Sequence, residues 1–305
     1  MTRRTSIVVV AFNRPDLLKG SLQLLKDNFF ENITVSVDCA PDGDLNPDIK
    51  KISTLDFPDL DWRFRTDHLG IAKHIPIVVS EMLYHYDNVV VLEDDVRVAP
   101  LALKSGLELL KKRLPEQFMT IGFFGALGAN SLTKKIFGKN SWRETEFFSA
   151  WGWGIQRESW NIYKQEMNLE SDIRALEMSK TWLRKSSSSR KLWIRRFERV
   201  AKNPDFTWDY QMQYASYVHE KNHLLPIFKS ADNVGFADTR SSNTKNEKPF
   251  WYRGLACNSE ITPSIKAKRL NLYLLTYLDR ITWSGDQNPP KLLRLFTRIL
   301  KRRQA

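Results

Sequence analysis

The chain has little cysteine, no long apolar run and no glycine-rich loop after its first strand. Two cysteines in 305 residues, Cys39 and Cys257, show no CxxC spacing and no neighbouring His cluster, which excludes a disulfide framework and a zinc ribbon. A reducing, cytoplasmic setting is therefore expected. No stretch approaches the roughly 20 apolar residues of a membrane span. The run Ile7-Val8-Val9-Val10 behind Arg3 and Arg4 ends too early, at Asn13-Arg14-Pro15, to serve as a signal peptide. A soluble or membrane-peripheral protein follows. Internal repeats are absent, and so is any nucleic-acid motif, so no nucleic-acid partner is expected.

With 42% hydrophobic residues, the chain can bury one sizeable core or a core plus a small annex. The net charge of +12 is unevenly placed: residues 180–202 carry +8 and residues 291–303 carry +6, leaving the remainder slightly acidic. In residues 291–303, Leu292, Leu295, Phe296, Ile299 and Leu300 fall on one helical face, with Arg294, Arg298, Lys301 and Arg302 opposite. That is the pattern of an interfacial helix drawn to anionic lipid at ~1 kcal/mol per basic residue, and equally of a helix docked on its own core. The first patch, with Trp182, Trp193 and Phe197 interleaved, fits a membrane or an acidic polysaccharide. Its centre, Ser186 to Ser189 between basic pairs, reads as a loop or linker.

Strand and helix signals alternate through the first ~125 residues. An unbroken β-branched run over 6–12 predicts a strand covered on both faces. Pro15 then opens a helix carrying Leu17, Leu18, Leu22 and Leu25. Further strands are predicted over 33–37, 62–65, 89–92 and 119–124, with helices over 71–86 and 100–114. Such alternation implies a doubly wound α/β sheet, whose ligands gather at the carboxyl ends of its strands. Asn13, Asp38 and Glu93-Asp94-Asp95 stand at such ends.

Three consecutive carboxylates at the end of a buried strand repel one another unless a cation neutralises them. Oxygen ligands suit Mn2+ or Mg2+, which take one or two protein carboxylates and complete their shells with phosphate and water. Helix capping by Asp94 or Asp95 is the plainer alternative.

The segments Ser6 to Arg14, Val91 to Pro100 and Trp151-Gly152-Trp153-Gly154 resemble GT-A-fold glycosyltransferases, most closely bacterial surface-polysaccharide transferases related to N-acetylglucosaminyltransferase I. The resemblance implies that Asp95 touches the metal while Glu93 and Asp94 hold the nucleotide sugar. It implies base and ribose contacts at Ala11, Asn13, Arg14 and Asp38, and brings Lys73, after His68-Leu69-Gly70, toward a phosphate. A solvated helix face is the other reading of Lys73. By the same resemblance Asp209, in Phe206-Thr207-Trp208-Asp209, is the base of an inverting transfer, against a helix-capping role. Trp151, Gly152, Trp153 and Trp208 would shape the sugar and acceptor pocket, with a packed β-corner as the alternative for the first three. Asn233-Val234-Gly235-Phe236 also looks family-like. Where related sequences often carry a metal-ligating His, this chain reads Asp238 to Asn243.

The expectation is a GT-A-like, Rossmann-like mixed sheet over 1–250, with a donor half to about 125, an acceptor half beyond it, and a basic helical annex over 251–305. The expected activity is transfer of a monosaccharide from a nucleotide diphosphate sugar to a hydroxyl of a cell-surface glycan or lipid-linked glycan. A sugar nucleotidyltransferase or a non-catalytic membrane- or polyanion-binding protein is the alternative. The former would want a Gly-rich phosphate loop after the first strand, which Ala11-Phe12-Asn13-Arg14-Pro15 does not supply.

Overall fold

The computed structural model describes residues 3–125, 127–236, 238–240, 261–266, 275 and 279. In chain order the elements are β1 (Thr5–Ala11), α1 (Pro15–Asp27), β2 (Ile33–Val37), α2 (Pro47–Lys51) running into a π turn (Ile52–Asp56), β3 (Asp61–Phe64), α3 (Gly70–His85), β4 (Asn88–Glu93), β5 (Val96–Val98) and α4 (Pro100–Lys111). There follow β6 (Phe118–Gly122), α5 (Ser131–Phe137), β7 (Ser141–Thr145), β8 (Trp153–Gln156), α6 (Arg157–Trp160), α7 (Leu169–Glu177), α8 (Lys180–Leu183) and α9 (Ser187–Lys202). The last are α10 (Asp209–Val218), β9 (Asn222–Pro226), β10 (Ala231–Asn233) and β11 (Thr262–Lys266).

The β-branched run of β1 forms a strand covered on both sides because its period of two feeds two cores. Ile7, Val9 and Ala11 join one cluster, and Val8 and Val10 join the other. β4 divides its residues in the same way, Val90 and Leu92 to the first cluster and Val89 and Val91 to the second. Helix α1 covers the first face with Leu18, Leu22 and Leu25, and α3 covers the second with Ile75, Val78, Val79, Met82 and Leu83. Pro15 at the start of α1, with Asp16 in its first turn, sets where that helix begins. Each of these side chains is fully enclosed, so truncation such as Leu18→Ala costs roughly 2–5 kcal/mol.

The nine described strands of the main sheet run in the order β11-β7-β9-β6-β8-β4-β1-β2-β3. Strands β3, β2, β1 and β4 are mutually parallel, so the carboxyl ends of β1, β2 and β4 share one rim. β8 is antiparallel to both β4 and β6, which makes the sheet mixed. A two-stranded ribbon, β10 with β5, closes the same rim immediately after the acidic triplet. The fold is thus the doubly wound, mixed α/β sheet that the sequence predicts.

Two expectations change. Ser186 to Ser189 is not a linker: Ser186 caps α9, its side chain accepting the Ser189 backbone N–H, and the serines that follow are the helix's first turn. Nor are residues from 251 onward a purely helical annex, since β11 adds an edge strand parallel to β7. Behind it the Arg143 guanidinium makes a fully buried two-pronged ion pair with Asp279, both contacts at 2.6 Å, and Thr145 donates to the same carboxylate at 2.8 Å. The basic segment over 291–303 lies outside the described residues. No described helix is long and apolar enough to cross a membrane.

Candidate functional site

Strand β1 delivers Asn13 and Arg14 to the rim, β2 delivers Asp38, and β4 delivers Glu93, Asp94 and Asp95. The Asp38 N–H bonds to the Ala11 carbonyl at 2.9 Å and the Asp94 N–H to the Val10 carbonyl at 3.0 Å, so the backbone itself locks the three strand ends together. Between them lies a cavity of about 200 Å3. Its walls include Ala11, Phe12, Asn13, Arg14, Asp38 and Glu93. His68, His74, Asp94 and Arg240 complete its polar lining.

The cation that the triplet demands is partly supplied from within the chain. Arg14 pairs through Nη2 and Nε with Asp94, and through Nη1 with Asp95 Oδ2 at 2.7 Å. Burial alone would lower the Arg14 pKa, but the two carboxylates hold it firmly protonated. Burial pushes Asp94 up to about 7, Arg14 opposing and Asp95 reinforcing the rise. Glu93 is raised well above its ordinary value, first by burial and then by Asp95 and Asp94. Behind the triplet Arg97 donates to Ser21, to the Asp94 carbonyl at 2.7 Å and to the Leu17 carbonyl at 2.6 Å, pinning α1 to the β4–β5 turn.

One oxygen remains. Asp95 Oδ1 is buried without a hydrogen-bond partner, a costly state unless something else meets it. Val234 and Gly235 close over this carboxylate: the Val234 N–H bonds to the Asp95 carbonyl at 2.8 Å, and a Cβ on Gly235 would collide with Asp95 Oδ2. Among the described residues no three His, Cys, Asp or Glu side chains converge as a metal-ligand set. These residues fit a divalent cation held by one protein oxygen, the rest of its shell coming from diphosphate and water.

Asp38 lines the cavity but spends both oxygens on the loop that starts α3. It accepts the backbone N–H groups of Cys39, Leu69 and Gly70 at 3.1, 3.0 and 2.8 Å. His68, on the same loop, donates to the Cys39 carbonyl at 2.6 Å and packs against Phe12. His74 meets Ser36 at 2.8 Å, and burial lowers its pKa to about 4.

Asp209 begins α10 and accepts from Thr207 Oγ1 at 2.5 Å. Burial raises its pKa despite that bond, and its charge is close enough to add to the rise at Glu93.

The structure does not bring every expected residue to the cavity. Lys73 points from the exposed side of α3 to Asp205, 2.9 Å away, because its helix turns it outward. Trp153 and Trp208 present no free face for a sugar: they stack on each other at 5.0 Å with Phe148 against both edges, and are 1% and 2% exposed. Gly152 has φ +73°, and a Cβ there would come within 2.8 Å of Val98, so it is a packed corner. Trp151 sits between Phe124 and Phe236 at the rim.

Residues that the sequence reading missed are Arg97, His74 and Arg240. Arg240 bridges Asp16 on α1 and Asp238, at 2.7 Å to each. Nothing local marks it, since its main partner is 224 residues away.

No protein-family model matches the chain, and no curated protein matches it in sequence. Among solved structures it is similar to mannose-1-phosphate geranyltransferase from Thermus thermophilus, at 15% identity and a TM-score of 0.36 over 76% of this chain and 77% of that one. It is similar to a mannosyltransferase from Pyrobaculum calidifontis in complex with GDP-Man and Mn2+, at 14% identity and a TM-score of 0.37 over 72% and 70%. Glucosyl-3-phosphoglycerate synthase from Mycobacterium tuberculosis, in complex with Mn2+, UDP and glucosyl-3-phosphoglycerate, matches at 13% identity and a TM-score of 0.36 over 54% of this chain and 59% of that one. At these values the functional reading rests on the geometry of the site itself.

Proposed function

We propose that the protein is a GT-A-like glycosyltransferase that moves a monosaccharide from a nucleotide diphosphate sugar to a hydroxyl of a cell-surface glycan or its lipid-linked precursor. The observation that carries this reading is the buried, unpartnered Asp95 Oδ1, whose carboxylate Arg14 holds by its other oxygen, directly after Glu93 and Asp94 on the wall of a polar cavity at the carboxyl end of β4. A buried carboxylate oxygen without a partner and a fixed cation together suit a diphosphate with its metal far better than they suit a neutral ligand.

In this reading Asn13 and the β1 end form the floor for the nucleoside, and Arg14 turns from Asp95 toward the diphosphate oxygens. Mn2+ or Mg2+ on Asp95 would neutralise charge developing on the departing nucleoside diphosphate. Glu93 and Asp94, both holding protons readily, donate hydrogen bonds to donor hydroxyls or phosphate. Asp209 accepts the proton of the acceptor hydroxyl as its oxygen attacks the anomeric carbon. The bond from that carbon to the diphosphate breaks, and the sugar centre inverts. Burial, which raises the Asp209 pKa, makes it a stronger base for that task than an exposed carboxylate.

The deciding experiment is a screen of nucleotide diphosphate sugars for Mn2+-dependent thermal stabilisation and slow hydrolysis. Release of nucleoside diphosphate supports the proposal. Release of pyrophosphate from a nucleotide triphosphate and sugar phosphate would instead establish a nucleotidyltransferase. No binding with or without metal would leave a polyanion- or membrane-binding protein on a transferase-like fold.

A further inference from the structure

The described chain carries a second feature that the transfer chemistry does not use: the helical cap formed by α7, α8 and α9. It has its own core of Leu176, Trp182, Trp193 and Phe197, packed on Tyr214 and Tyr217 of α10. Because the interior of α9 is satisfied by Trp193, Phe197 and Val200, its opposite face owes nothing to folding. At 100° per residue, Lys191, Arg195 and Lys202 form a stripe on that opposite face, all three exposed, with Glu198 as the one acid among them, so the stripe keeps a net positive charge. Among the described residues no carboxylate pairs with Lys191, Arg195 or Lys202, nor with Arg184 and Arg190 at the α8–α9 junction.

A stripe of unpaired charge is commonly only a solvated face. Here it is accompanied by two large apolar side chains that the fold leaves in solvent, Met178 at the end of α7 at 85% and Leu183 at the end of α8 at 54% exposure. Exposed cations on the same cap as protruding apolar side chains, Lys180 and Arg184 close to them in sequence among them, match an anionic bilayer, where headgroups meet the charge and the acyl boundary takes the apolar tips. A soluble acidic glycan would leave Met178 and Leu183 unused.

We propose that α7–α9 dock the protein on an anionic lipid surface, with Met178 and Leu183 entering the interface and Lys191, Arg195 and Lys202 facing the headgroups. The cap's inner side fixes the consequence for the site. Arg199 lies 3.6 Å over the Phe206 ring and Arg196 lies 5.2 Å over that of Tyr210, so α9 clamps the segment that carries Asp209. A docked cap holds the acceptor side of the site toward the bilayer. This step rests on the proposal that the acceptor is assembled at a membrane.

The test is sedimentation of the full chain with phosphatidylcholine vesicles with or without phosphatidylglycerol, beside retention on heparin as a soluble polyanion. Binding only to the anionic vesicles, weakening with salt, is expected. The triple variant Lys191→Gln, Arg195→Gln, Lys202→Gln should lose about a hundredfold in vesicle affinity, about fivefold per charge removed. Met178→Ser with Leu183→Ser should weaken vesicle binding while leaving heparin retention unchanged. Vesicle binding unaltered in the triple variant, or heparin retention without vesicle binding in the wild type, overturns the proposal, the latter in favour of an acidic glycan. All five positions are exposed, so circular dichroism should show native folds. Hydrolysis of a soluble donor should be unchanged in both variants, which separates failure of docking from failure of the transferase reading.

Discussion

Gly235 stands directly against Asp95: a side chain there would collide with Asp95 Oδ2 and come within 2.9 Å of Arg14 Nη1. The residue is buried at the end of the β10–β5 ribbon, where the Val234 N–H bonds to the Asp95 carbonyl and ties the loop to the triplet. Gly235→Ala is expected to displace the carboxylate and lower donor turnover by at least about tenfold, because misplacement of a reacting group by about an ångström costs up to about a hundredfold. Thermal unfolding and turnover measured on the same preparation check this. Loss of activity with little loss of stability is the outcome expected.

Arg14 neutralises two buried carboxylates, so Arg14→Ala should destabilise the nucleotide-free protein by roughly 3–5 kcal/mol, the cost of leaving buried charge unpaired. Mn2+ should then stabilise the variant more than the wild type, since the metal takes over part of the same task. Denaturant titrations with and without Mn2+ measure both effects. Equal metal responses would show that the triplet does not hold the ion.

Metal binding by the wild type without nucleotide should be weak, because Arg14 already engages Asp94 and one oxygen of Asp95, leaving Asp95 Oδ1 as the buried oxygen of the triplet without a partner. Calorimetry of Mn2+ into the protein, alone and with a nucleoside diphosphate, tests this. Tight binding in the absence of the nucleotide would contradict the one-oxygen site.

Asp209→Asn should retain donor binding and lose roughly 100- to 10,000-fold in transfer, the range of a positioned acid–base group. Because burial raises the Asp209 pKa, wild-type transfer should decline as pH falls through a value above the ordinary aspartate range, at a higher pH than an exposed carboxylate would give. A pH–rate profile of kcat, flat in the Asn variant, is the expected readout.

His223 is fully enclosed, bonded through Nδ1 to Thr120 Oγ1 at 2.7 Å, and burial lowers its pKa from 6.5 to about 3. The folded state therefore holds this imidazole neutral, and its stability contribution is present above pH 6.5 and lost as pH falls from there toward 3, on the order of several kcal/mol. His223→Gln should shift the acid-unfolding midpoint to lower pH. An unchanged midpoint would mean that other groups control acid unfolding.

The donor half was legible because its signals are local. The runs of β1 and β4 and the leucine spacing of α1 are each complete within a short segment, and the rim location of Asn13, Asp38 and Glu93 follows from strand ends alone. What the sequence concealed depends on distance along the chain. The partnership of Arg14 with Asp94 and Asp95 spans 80 and 81 residues, and Trp153 stacks on a Trp208 that lies far beyond it in the chain. Composition makes a Trp equally fit to hold a sugar or to fill a core, and only the packing decides. The serines from Ser186 to Ser189 read as a loop because serine is a weak helix former, yet serine is also a preferred helix cap.

The antiparallel β8 has a consequence for recombination. It is encoded after residue 150 but lies between β4 and β6, with hydrogen bonds to both. A chimera that exchanged the acceptor half by cutting the chain near 125 would insert a foreign strand into the middle of the sheet, against the one that ends in the acidic triplet. Exchange of acceptor specificity between relatives would have to leave β8 with its original donor half and graft only the segments on either side of it.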